Sequence, residues 1–434
     1  MANKLHRRTF VSLAAASAFG VIGITSGSRY SNKAHAALGN GLGRHDDDAM
    51  KNGGAGICFE KAAAYLRTQQ DRASGGWSVT TGGPQFPAIT GLVVRGLLMN
   101  PKANMDDMGI AGGIKYMLGS QQTDGSIHQG LLPSYNTAIC LSTLASIPNP
   151  DARIKEAIES ARTFLRTLQF GEEAMVPVGV PEVVEKVDRS HSFYGGVGYG
   201  QHGRPDLSNT AFFVEALKDS GLDTSDAAYQ RALVFLQRTQ MLDTVQGPDG
   251  KPVQVNDMPY AKGSRQGGFI YATSVNKDTL GIGQSFAGTI EETLSDGTVA
   301  SRLRAYGSMT YSGFKSYLHA GLTKTDPRVA AAREWIRNNY TLEENPGVGT
   351  DGLYYYLLVF AKAMAVYGDN QIVTVDTKTG QESTRIWRDD LAARLQRLQK
   401  EDGSFTSVDD RWMENNPVLI AAYSLGALGL AAFG

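Results

Sequence analysis

The chain has 434 residues, with 42 Lys+Arg against 43 Asp+Glu, 50 glycines and two cysteines. Five of the basic residues and none of the acidic ones lie in the first 36, so the remainder carries a mild net charge of −6. That balance excludes a nucleic-acid footprint, and no segment after the N-terminal one is long and apolar enough to read as a membrane span.

Residues 1–36 read as a targeting segment. Paired arginines in HRRTFVS (6–12) precede an apolar stretch from Leu13 to Ile24, and Ala34-His35-Ala36 supplies a small-x-small cleavage pattern. The order is that of a twin-arginine export signal. A bacterial protein folded before export and delivered to the periplasm or beyond is expected, with 37–434 as the mature chain.

From about residue 50 the sequence repeats itself. Six segments share an aromatic-aliphatic-x3-Gln element: 65-YLRTQQ-70, 116-YMLGSQQ-122, 164-FLRTLQ-169, 235-FLQRTQ-240, 335-WIRNNY-340 and 394-RLQRLQ-399. The fifth has lost its glutamine and the sixth has arginine at the aromatic position. Glycine beside Asp or Ser follows in DRASGGW, TDGSI and KEDGSF, which is the chemistry of a left-handed helix exit. A second helical stretch follows in most copies. FPAITGLVVRGLLM and NPVLIAAYSLGALGL are apolar almost all round, whereas RIKEAIESARTFL and DPRVAAAREWIRNN, which carry the repeat elements, are charged on one face. Helices apolar on every side are buried, so the second of each pair is expected inside and the first outside. An open array needs polar caps at its ends, and GALGLAAFG supplies none. The pattern predicts an all-α (α/α)6 toroid of six helical hairpins in a single domain. Cys58 and Cys140 sit in apolar helical patterns and read as small buried hydrophobes, with a single disulfide as the alternative.

Three insertions interrupt the repeat. Those at about 170–203 and 241–305 are Gly-rich loops of a length usual for lids or binding loops. The third, 369-DNQIVTVDTKTGQEST-384, alternates β-branched and polar residues and predicts an exposed hairpin.

These elements resemble the Q-W repeats of the prenyltransferase and squalene-oxidase-repeat superfamily, across the whole mature chain. The resemblance implies an α-toroid with an apolar cavity lined by inner helices. It does not fix the function, since the superfamily holds triterpene cyclases, protein prenyltransferase subunits, thioester domains and cobalamin carriers. Neither cysteine has the Asp-x-Cys context of the zinc prenyltransferases. Cys58-Phe59-Glu60-Lys61 is not a thioester motif, and Asp106-Asp107, Asp389-Asp390 and Asp409-Asp410 lack a third acid for diphosphate-bound magnesium. Squalene–hopene-type cyclases carry Asp-x-Asp-Asp-Thr at the start of an inner helix. Here Pro205-Asp206-Leu207-Ser208-Asn209-Thr210 keeps the first aspartate and the threonine, but Ser208 and Asn209 replace the other two acids. A serine hydroxyl cannot protonate an alkene.

Asp206, and with a second half-match at Ser407-Val408-Asp409-Asp410 also Asp410, are therefore the candidate acids. Helix capping is the ordinary role for Asp206, Ser208 and Asn209. The loop before them offers His191, Tyr194, Tyr199, His202 and Arg204 to the same mouth. Tyr306, Tyr311, Asp351, Tyr354, Tyr355, Tyr356 and Trp412 come from further round the ring, where aromatic faces can stabilise cations or simply pack the core. The Gly-x-Gly-x-Gly run at 196–200 is no dinucleotide fingerprint, and no cofactor or metal is expected. The partner expected is a small isoprenoid or other apolar molecule; peripheral membrane contact is open. Three activities follow: a terpene-cyclase-like enzyme of the isomerase type, a non-catalytic binding toroid, or a carbohydrate-active toroid enzyme using a carboxyl pair.

Overall fold

The computed structural model describes residues 54–79, 82–172, 185–200, 203–407 and 409–434. The export-signal reading and the expected site residue His202 lie outside them.

Twelve α-helices form among the described residues, in two alternating kinds. Six are amphipathic: α1 (Gly54–Thr68), α3 (Met108–Gly119), α5 (Ala152–Thr167), α7 (Ala227–Thr239), α9 (Pro327–Asn338) and α11 (Trp387–Leu398). Four of these start on an aspartate, at 107, 151, 226 and 326, whose side chain accepts a first-turn N–H. Such caps satisfy donors that the helix cannot satisfy internally. The other six are α2 (Pro87–Leu98), α4 (Pro133–Ala145), α6 (Leu207–Asp219), α8 (Gly307–His319), α10 (Leu353–Tyr367) and α12 (Pro417–Phe433). They are buried nearly all round; in α12 every residue from Val418 to Gly429 is buried. Their mutual contacts run α2–α4–α6–α8–α10–α12 and return from α12 to α2, while α1 packs on both α11 and α12.

The repeated glutamine explains how one pair is tied to the next. In five repeats its amide donates to the carbonyl of the turn glycine and to a carbonyl of the next outer helix. Gln70 reaches Gly75 and Gly109, Gln121 reaches Gly125 and Ala157, and Gln169 reaches Gly195 and Ala228. Gln240 reaches Gly267 and Arg328 in the same way. Gln399 reaches Gly403 and, at 2.8 Å, the carbonyl of Cys58 in α1, so the last repeat is joined to the first. Tyr340 holds the glutamine position in the fifth repeat and bridges instead by its hydroxyl, 2.8 Å from Asp390 of α11. A threonine of the inner helix completes the unit. Thr90, Thr137, Thr210 and Thr310 each accept the N–H of the large residue that follows the turn, Trp77, Ile127, Val197 and Phe269 respectively. Thr210 is thus a repeat feature that happens to complete the cyclase-like motif.

Six short strands accompany the helices, so the described chain is helix-rich and not all-α. Hairpins β1–β2 (Thr244–Gln246, Pro252–Gln254) and β3–β4 (Thr289–Thr293, Val299–Leu303) lie in the second insertion, and β5–β6 (Gln371–Val375, Glu382–Ile386) forms where alternation predicted it. Cys58 and Cys140 are free thiols, both buried.

Candidate ligand cavity

The first turns of all six inner helices face one space. Phe86 and Ile89 flank the start of α2, Leu132 and Tyr135 that of α4, and Ser208 and Phe212 belong to α6. Ser308 and Met309 come from α8, Tyr355 from α10, and Leu419 and Tyr423 from α12. Loops close over it with Val79, Tyr199, Tyr271, Phe286, Tyr306 and the turn Trp412-Met413-Glu414. The cavity holds about 150 Å³ of space open to the centre of a water molecule. Of its nineteen lining residues ten are aromatic and one, Glu414, is charged by type. Burial raises the phenols of Tyr135, Tyr199, Tyr271, Tyr306, Tyr355 and Tyr423 above their ordinary range, so they stay neutral and act as donors or acceptors only.

The turn that supplies the acid is strained. Trp412 and Met413 both have left-handed backbones, φ 55° and 67°, which non-glycine residues adopt at a cost. Gly352, at the start of α10, makes room for the indole: a Cβ there would lie 2.7 Å from the Trp412 ring. Trp412 also packs edge-on against Phe286 from the second insertion, 5.5 Å between centroids. Arg411 lies over both rings and pairs with Asp351.

Glu414 is fully buried. Its carboxyl oxygens accept the backbone N–H groups of Tyr354 (3.1 Å) and Tyr355 (2.8 Å), the open end of α10. Burial pushes the acid up to about 7. The two N–H groups oppose that rise, and the nearby carboxyls of Asp409 and Asp351 add to it. The sequence reading missed this residue. Its signal was an acid three positions before the proline that opens α12.

Of the residues expected at the mouth, Tyr199, Ser208, Tyr306, Tyr355 and Trp412 line the cavity. The Ser208 hydroxyl lies 2.9 Å from that of Tyr355. Asp206 is buried but caps its own helix: one oxygen accepts the N–H of Asn209 at 2.9 Å and the other accepts the Asn209 amide at 2.8 Å. Burial raises its carboxyl, against the pull of those bonds and of Arg204. The remaining residues are engaged elsewhere. Arg204 donates to the Val275 carbonyl and lies over Tyr271. Tyr194 belongs to a small satellite cluster with Phe170 and Phe193, and the His191 ring packs edge-on against Phe193. Tyr311 packs against Tyr356 and Phe360, and Tyr354 donates to the Thr406 carbonyl. Asp351 is held by Arg411, and Asp410 is exposed at the start of the strained turn.

Beneath the cavity lies a buried ion cluster. Glu215 of α6 contacts Lys315 of α8, Lys362 of α10 (2.8 Å) and Arg95 of α2 (3.4 Å), and Arg95 also pairs with Asp219 at 2.8 Å. Burial alone would raise Glu215, but the three cations outweigh it and hold the acid well below its usual range. Lys362 is lowered to about 8 by the same burial, in spite of Glu215. Phe212 separates it from the cavity, with the ammonium 5.8 Å from the ring centre. Among the described residues no cluster of metal-ligating side chains occurs, and no helix is long and apolar enough to cross a membrane.

No family model and no curated protein matches the sequence. Among solved structures the chain is similar to the type II terpene cyclase MstE from Scytonema, at 14% identity over 87% of this chain and 99% of that one, TM-score 0.45. A variant of MstE bound to geranylgeranyl dihydroxybenzoate gives 14%, 87%, 97% and 0.45. A protein from Actinoplanes gives 14%, 87%, 99% and 0.44. Likeness this distant transfers neither a detailed fold nor an activity.

Proposed function

We propose that the six helix pairs form an (α/α)6 toroid of the terpene-cyclase-like, repeat-containing kind, and that it binds an isoprenoid or comparably apolar lipid in its central cavity. The observation that carries this reading is the wall itself: ten aromatic side chains, neutral phenols and a single carboxyl, over a floor sealed by paired charges. Such a wall favours a hydrocarbon chain by area removed from water and offers few polar partners, as small-molecule sites do. Export by the twin-arginine route belongs to the same proposal.

Ser208 stands where a squalene–hopene-type motif would place its proton donor, and Asp206 is turned into its own helix. Binding without cyclisation triggered from this motif is therefore favoured over catalysis by it. A glycosidase-like role would need two carboxyls facing each other across the site, and the described wall carries one.

The test is to extract the purified protein with organic solvent, analyse the extract by mass spectrometry, and incubate it with squalene and shorter isoprenoids. Bound isoprenoid is expected, and filling the cavity by Leu419→Trp should displace most of it. No bound lipid and no uptake of any isoprenoid would overturn the reading.

A further inference from the structure

Three inner helices have their first turns capped by a side chain from the following repeat. Asn136 accepts the N–H of Ala88 in α2 at 2.7 Å, and Asn345 accepts that of Ser308 in α8 at 2.8 Å. Glu414 does the same for α10. A cap needs only an acceptor, which an amide oxygen supplies at the other two positions. The amides spend their N–H groups on nearby oxygens: Asn136 on the carbonyls of Leu131 and Leu132, Asn345 on Ser308 and the Asp351 carbonyl. Glu414 alone of the three lines the cavity. Both its oxygens are already held by N–H groups, so any proton it carries points away from the helix end.

We propose that Glu414 presents a carboxyl proton to the cavity and so selects apolar ligands that carry an acceptor oxygen, a carbonyl or ether, at this end. The inference rests on the binding role proposed above and names the chemistry of its ligand. Full burial between aromatic rings disfavours the ionised form, consistent with an acid raised to about 7. The charged groups around it work in the same direction: Asp351 and Asp409 are acidic, and the one cation of the turn, Arg411, is committed to Asp351. Tyr354 and Tyr423 lie near it as neutral phenols, and the Tyr355 hydroxyl is engaged with Ser208. A carboxyl held this way is a weaker acid than an ordinary one. It is ill-suited to protonating a bare alkene and well-suited to donating a hydrogen bond to oxygen.

The experiment compares two probes, farnesylacetone and the hydrocarbon in which its carbonyl is a methylene, by calorimetric titration at pH 5.5 and 8.5. The ketone can only accept, so it reports a donor. For the wild-type chain the ketone should bind roughly fivefold more tightly at pH 5.5, the yield of one net hydrogen bond, and the preference should vanish at pH 8.5. Glu414→Gln retains an acceptor for one of the two N–H groups of α10 and offers an amide donor that does not titrate, so its ketone preference should be the same at both pH values. Glu414→Leu should show none at either. Hydrocarbon binding with no ketone preference, or a wild-type preference indifferent to pH, overturns this inference and leaves the binding role standing. If neither probe binds, both fall.

Discussion

At the scale of the residue, Glu414 is pulled two ways. A helix N-terminus favours a carboxylate, while complete burial beside two other carboxyls favours the neutral acid, and the second effect prevails in the structure. Stability should record this. In the unfolded chain a glutamate titrates near 4.5, in the folded chain this one titrates near 7, so between those values unfolding releases a proton. The contribution of the neutral acid is full below pH 4.5 and is lost as the pH rises through about 7. Glu414→Gln does not titrate, so its stability relative to wild type should climb across that window by on the order of 3 kcal/mol. Thermal melts at half-unit pH intervals measure the climb; a flat difference would mean that Glu414 ionises like a surface residue. Little of this was legible in the sequence. At the start of α6 the sequence offers the acid Asp206, whose type and position are equally those of a cap. Nothing in Pro-Asp-Leu-Ser-Asn-Thr says which oxygen faces inward. Glu414 acts on residues about sixty positions earlier, and a contact of that range leaves no local pattern.

At the scale of the element, far more was legible, because the repeat writes its packing rule several times. The alternation of apolar and amphipathic helices needs only periodicity, and a glutamine followed by Gly-rich turns marks where each outer helix ends. What the sequence did not disclose is why glycine is required. At Gly195, φ is +82° and a Cβ would sit 1.8 Å from the Arg231 carbonyl of α7; Gly125 and Gly403 meet Ser160 and Lys61 in the same way. Gly221, φ +80°, ends α6 with nothing within 4 Å of the added atom. The backbone conformation is thus matched and only the close approach differs. Gly221→Ala should cost about 1 kcal/mol, the penalty of a left-handed alanine. Gly195→Ala should cost more than about 3 kcal/mol, since the turn must leave the helix it ties down. Denaturant midpoints of the two variants would test the rule, and equal losses would refute it. The fifth repeat shows the same tie made by other means, with Tyr340 reaching Asp390 by its hydroxyl.

At the scale of the whole molecule, the question is what fills the axis around which six buried helices pack. Above, it is the aromatic cavity. Below, it is the ion cluster, which joins α2, α6, α8 and α10 through side chains that the apolar helix patterns gave no reason to expect. Its charges do not balance: Arg95, Lys315 and Lys362 face Glu215 and Asp219. His319 adds nothing, since burial and Lys315 lower it to about 4 and keep it neutral. Lys362 is the cation nearest the cavity and the one whose charge burial most nearly removes, at about 8. Two substitutions of similar volume should therefore have opposite weights. Glu215→Gln leaves three buried cations sharing one carboxylate at the cluster's edge and should cost about 3–5 kcal/mol, the usual penalty of orphaning a buried charge. Lys362→Met leaves two cations against two carboxylates, a balanced set, and should change stability by no more than about 1 kcal/mol in either direction. Urea unfolding of both variants at pH 7 separates the cases. A large loss for Lys362→Met would mean that the lysine bears weight beyond its charge, as the floor on which Phe212 and the ligand rest.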